Sequence, residues 1–230
     1  MRTRLLPALF LVLALLFPAV PAGADGVPPG GREGGTRAAS ADALYAGRFG
    51  VASSQFVDYD TATKRGELAA MEGAGIGWVR CGFIWSNLEP VRGVWVLGGA
   101  DEAVGEAERS GAKVLGIMGG SPFWANGGMP WMYPPTDLEA WRDYVRTLSS
   151  RYRGRVAAWE IWNEENILPF WQPQPDPAYY VQLLSIASQE IRSADPGAVI
   201  VMGGLAGPGV DYLEECLKLG AAEYVDAVAY

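Results

Sequence analysis

The chain has 230 residues, half of them apolar and 19% charged, with a net charge of −8. That composition suits one folded domain behind a leader and excludes a disordered chain, and the acidic balance argues against nucleic acid or anionic membrane as partner, because both demand clustered Lys and Arg. Histidine is absent, so a Ser-His-Asp triad, a Cys-His pair and His-ligated zinc are excluded within these residues, and acid–base chemistry must run on carboxylates, Tyr or Lys.

Residues 1–24 have the form of an export signal: Arg2 and Arg4, an apolar stretch from Leu5 to Phe17, then small residues at Ala22-Gly23-Ala24. The apolar stretch is shorter than the roughly 20 residues of a membrane span, so the expectation is a secreted or periplasmic protein with no membrane involvement beyond the signal. Residues 25–43, DGVPPGGREGGTRAASADA, read as a flexible linker, and folded structure is expected from Leu44. Cys81 lies in a strand-like run and Cys216 in a helix-like one far along the chain; two buried thiols are expected rather than a bridge.

From there strand and helix alternate. RFGVASSQF (48–56) reads as a strand and 61–77 as a helix with Asp60 or Thr61 as N-cap. WVRCGFIW (78–85) is a second strand, 101–111 a helix closed by Gly111, and KVLGIMGG (113–120) a third strand. Residues 136–154 form an amphipathic helix with Leu138, Trp141, Val145 and Leu148 on one face. VAAWEIWNE (156–164) is a fourth strand, 177–195 a helix stopped by Pro196-Gly197, AVIVMGGL (198–205) a fifth strand, 210–220 a helix, and YVDAVAY (224–230) a sixth strand.

Near-continuous apolar strands alternating with helices indicate an α/β fold with a parallel sheet. A doubly wound sheet and a closed (β/α)8 TIM barrel both fit. No G-x-G-x-x-G turn follows the first strand, and the segments after strands two, three and four are long, which favours the barrel. A barrel takes eight such units, so residues 44–230 are expected to be about the first six units of a C-terminally truncated catalytic domain, inactive and poorly folded alone.

Polar residues at the C-terminal ends of such strands stand at the mouth of the site. Asn163 and Glu164 occupy that place after strand four, Gln55 after strand one, Phe83, Trp85 and Ser86 after strand two, and Ser121 to Trp124 after strand three. A carboxyl group among Trp residues is desolvated, which raises its pKa toward the range of a general acid. Arg80, the one charge inside strand two, needs an anion, either a carboxylate of the site or Glu160. The chain holds nine Trp. Trp124, Trp131, Tyr133 and Trp171 fall in loops and are expected at the cleft. Trp159 and Trp162 are expected to pack, with Trp162 bordering the site. Glu160, Glu164 and Glu165 without histidine make a weak metal set, and no cofactor is expected.

WEIWNEEN resembles the W-x-x-x-N-E-P-N signature that ends strand four in clan A glycoside hydrolases. VRCGFIWSNLEPVRGVW is similar to their second strand, GGSPFWANGG to the third-strand loop of family 39 and its relatives, and DPGAVIVMGGLAG to their fifth strand. The resemblance covers about residues 45–230 and is nearest in appearance to family 39, the β-xylosidases and α-iduronidases. It implies a TIM barrel that hydrolyses O-glycosidic bonds in oligo- or polysaccharides with retention. Glu164 would be the acid/base, Asn163 the clamp on the sugar 2-hydroxyl, and a Glu on strand seven, beyond residue 230, the nucleophile. Trp85, Trp124, Trp162, Trp171, Arg80 and Gln55 would contact substrate. Two departures stand out. Glu165 replaces the signature's Pro, and is expected to face solvent; the His residues usual around such sites are missing. A non-catalytic carbohydrate-binding or scaffold protein on the same fold is the alternative.

Overall fold

The computed structural model describes residues 47–230, so the expected signal, linker and starting point at Leu44 lie outside the described residues. Six strands form one sheet: β1 (Gly50–Ala52), β2 (Trp78–Ile84), β3 (Lys113–Gly119), β4 (Ala158–Asn163), β5 (Val199–Gly204) and β6 (Ala227–Val228). All pairs are parallel and the order in space is the order in sequence. A doubly wound sheet reverses direction at a switch point; this one never does, so it is the curled wall of a partial (β/α)8 barrel.

The crossovers are α1 (Thr61–Gly73), the single turn α2 (Trp85–Leu88), α3 (Gly98–Ser110), α4 (Leu138–Arg151), α5 (Pro177–Ala194) and α6 (Val210–Lys218). Their ends are written locally. The side chains of Asp60, Asp137 and Asp176 accept from the backbone N–H of Thr63, Ala140 and Tyr179 at 2.8, 3.0 and 3.0 Å, caps of about 1 kcal/mol each. Gly111 ends α3 in a left-handed conformation, φ 75°.

Two apolar layers hold the sheet. Val79, Cys81, Phe83, Val114, Met118, Trp159, Ile161, Ile200 and Met202 pack against the helices. Alternate strand residues Trp78, Leu115, Ile117, Ala158 and Val201 gather with Ala229 on the face that carries no helix. Cys81 and Cys216 are both buried and unbridged.

The first unit departs from expectation. The strand expected over 48–56 is paired only over Gly50–Ala52, and Phe56–Asp58 forms a 3-10 turn. Phe56 is wholly buried, and its N–H bonds back to Ser53 O at 3.0 Å. Sinking Phe56 into the helix-side core ends the strand early and turns Gln55 and Asp58 toward the concave face.

Candidate active site

A cavity of about 620 Å³ opens at the C-terminal ends of the strands, on the concave face. Its polar lining includes Gln55, Asp58, Arg80, Asn163 and Glu164, and its apolar lining Ile84, Ile117, Trp131, Trp162 and Phe170. A concave, mostly apolar pocket with a few convergent polar groups is what a small-ligand site requires.

Arg80 organises the floor. Its Nε and Nη2 donate to Glu160 Oε2 and Oε1, both at 2.6 Å, and Nη2 also donates to Asn163 Oδ1 at 2.7 Å. The Glu160 side chain is fully buried and also accepts from the Gly204 N–H at 2.8 Å. Of the two partners foreseen for Arg80, the structure shows Glu160, which supplies the charge; the third bond goes to the Asn163 amide and not to a carboxylate of the site. Arginine can only donate, so the oxygen of the Asn163 amide must face it. The amide NH2 is left toward the cavity as a donor.

Residues 162–166 leave β4 in an unusual way. Trp162 and Glu164 both have left-handed backbones, φ 71° and 53°, a conformation that costs a non-glycine residue on the order of 1–3 kcal/mol and clusters at working sites. The turn is held to the end of β5. The Glu164 N–H donates to Gly204 O at 2.8 Å, and the Asn166 side chain both donates to Ala206 O at 2.8 Å and accepts from Ala206 N–H at 2.9 Å. The half-buried Glu164 carboxyl is left free to act in the cavity.

Glu164, Asn163, Arg80, Trp162 and Gln55 therefore come together at the cavity. Three aromatics assigned to substrate contact from sequence do not. Trp85 is fully buried, stacked on Tyr144 at 4.8 Å, with its indole N–H on Glu89 Oε2 at 2.8 Å. Trp124 donates to Glu89 O at 3.0 Å and lies under the Arg92 guanidinium. Trp171 is buried edge-on behind Trp162, centroids 5.2 Å apart. These three brace the loops rather than line the pocket. Glu165, expected in solvent, is fully buried. Trp131 does reach the cavity, edge-on to Phe170 at 6.0 Å. Asp58, Ile84 and Phe170 were missed. Ile84 had a signal, since it shares a strand face with Arg80 and Gly82; Asp58 and Phe170 sit in turns whose direction no periodicity records.

Parallel strands in sequential order form the wall of a partial (β/α)8 barrel, with Asn163 and Glu164 at the exit of the fourth. No family model matches the sequence. Among curated proteins the chain is 30% identical over 96 residues to a β-xylosidase of Geobacillus stearothermophilus, covering 37% of this chain and 19% of that one. It is 29% identical over 160 residues to endo-1,4-β-xylanase 3 of Hypocrea jecorina, covering 61% and 43%. These relatives are glycoside hydrolases, and the chain spans less than half the length of each. Among solved structures it resembles a family 39 glycoside hydrolase from Bacteroides cellulosilyticus WH2, with TM-score 0.62 and 24% identity over 78% of this chain and 36% of that one. It also resembles xylanase 10B from Thermotoga petrophila RKU-1, solved with xylobiose, with TM-score 0.55 and 18% identity over 78% and 57%. At those identities the structural likeness establishes the fold.

Proposed function

We propose that this chain carries part of the active site of an exported retaining glycoside hydrolase, with Glu164 as the acid/base. One observation carries the reading: Asn163 and Glu164 leave β4 side by side at the cavity, the first clamped by Arg80 and the second free. Glu164 protonates the departing glycosidic oxygen and later takes a proton from water. Asn163 donates from its NH2 to the sugar 2-hydroxyl, a bond that strengthens as charge develops at the ring. The partner nucleophile is a Glu on a seventh strand, about 5–5.5 Å from Glu164. Trp131, Trp162 and Phe170 offer apolar faces to the sugar rings. The xylosidase and xylanase names among the relatives support a neutral oligo- or polysaccharide as substrate.

The test is turnover of aryl glycosides by the intact protein. Sugar release is expected, and Glu164→Gln should abolish it for a poor leaving group. Full activity in that variant overturns the assignment of Glu164.

A further inference from the structure

Glu165 is a carboxyl group that the proposed chemistry leaves unused. It is fully buried, faces away from the cavity, and neither carboxyl oxygen has a hydrogen-bond partner among the described residues. It is pressed against β5: a Cβ on Gly203 would lie 2.2 Å from Glu165 Oε2, so only glycine leaves the carboxyl its place. The nearby Tyr180 hydroxyl, from α5, accepts from the Gly203 N–H at 2.8 Å, and its single proton is claimed by Ile161 O at 2.9 Å as well as by Glu165, so its help to a charge on Glu165 is outweighed by burial. From α6, Tyr212 and Cys216 bear on the same carboxyl, and the Tyr212 hydroxyl is likewise buried and unpartnered. From the sheet, Glu160 opposes a charge on Glu165 and Arg80 favours it, but those two are bonded to each other.

A buried carboxylate with neither counter-ion nor hydrogen bond is costly. We propose that Glu165 in its uncharged form is a positioning residue for Glu164: it packs the turn after β4 onto the end of β5 and releases that turn when it ionises. Three consecutive residues grip the same edge, Glu164 through Gly204 O, Glu165 against Gly203, and Asn166 through Ala206. Glu164 and Glu165 can ionise, and of those two side chains that of Glu165 is the one in the grip.

Burial holds the Glu165 pKa well above the ordinary carboxylate value, and Glu160 adds to the rise. Burial also raises Tyr180 and Tyr212, and pushes Cys216 up to about 12. Glu165 starts from the lowest ordinary value of these groups. Its folded-state pKa is raised, so its contribution is fully present below the unfolded value of about 4.3 and is lost as pH climbs through the folded value.

The proposal rests on the acid/base reading only for its catalytic consequence, and its test needs no turnover. Hydrogen exchange of the Glu164 amide is followed in the intact protein from about pH 4 to about pH 9, corrected for the intrinsic pH dependence. Wild type should hold its protection below about pH 4, lose about tenfold per pH unit above that, and level off where Glu165 titrates in the folded state; Glu165→Gln should stay level. Flat protection in wild type, or the same fall in Glu165→Gln, overturns the proposal. If that variant does not fold, a carbon-13 titration of the Glu165 carboxyl in wild type decides. A folded-state titration at the pH where the loss of protection levels off supports the proposal, and separation contradicts it. Absent glycoside hydrolysis sinks the reading of the site alone, and a flat exchange profile beside measurable hydrolysis sinks this proposal alone.

Discussion

Arg80 Nη2 and Asn163 Oδ1 meet at 2.7 Å, and that contact decides which end of the Asn163 amide faces the cavity. A donor thereby stands beside Glu164, where a neighbouring hydroxyl oxygen of a bound sugar can accept. Asn163→Ala should lower kcat/KM on a 2-hydroxy glycoside by about 10²-fold, the scale of losing one donor that works in the transition state. On the matching 2-deoxy glycoside the loss should be small. Equal losses on both substrates would remove the 2-hydroxyl from the account.

The same guanidinium neutralises a carboxylate with no access to solvent. Arg80→Met leaves Glu160 buried and unpaired, and should destabilise the fold by about 3–5 kcal/mol in denaturant titrations. Arg80→Met with Glu160→Met should recover most of that. A single variant as stable as wild type contradicts the buried-pair assignment.

The sequence made the strands legible because buried parallel strands are apolar on both faces, and it made the start of the first helix legible because the Asp60 carboxylate can cap it. Asn163 and Glu164 were legible from their place at a strand exit. The aromatics were not. Nothing local distinguishes Trp131, which reaches the cavity, from Trp171, which packs behind Trp162; loop direction is set by distant partners such as Met132 O, which accepts from the Gln172 N–H at 3.1 Å. Glu165 defeated its reading for a backbone reason. The left-handed turn at Glu164 swings the next side chain under the strand rather than out to water.

Those placements separate two tryptophans in function. Trp85→Ala removes a fully buried ring and should cost about 3–5 kcal/mol of stability. Trp131→Ala, at a residue 39% exposed, should leave the melting temperature within a few degrees and raise KM for oligosaccharides. Calorimetry and steady-state kinetics on the pair check this; a stable Trp85→Ala protein with impaired substrate binding reverses the assignment.

Stability should also fall in acid. Arg151 holds the Asp101 carboxyl below its ordinary pKa through bonds of 2.7 and 2.6 Å, helped by Tyr152. Arg146 and then Arg142 do the same to Glu190. A depressed folded-state pKa gives stability that is present above the unfolded value of about 4 and is lost as pH falls through the folded one. Melting temperatures should therefore drop below about pH 4, and Asp101→Asn should flatten part of that fall. An unchanged acid limb in that variant contradicts the assignment.

The most direct test of the central claim is chemical rescue at Glu164. Glu164→Ala in the intact protein should turn over an activated aryl glycoside slowly, limited by loss of the base. Added azide, which needs no general base, should restore the rate and give a glycosyl azide of retained configuration. Wild-type turnover in the variant without azide, or no azide product at any concentration, contradicts Glu164 as the acid/base.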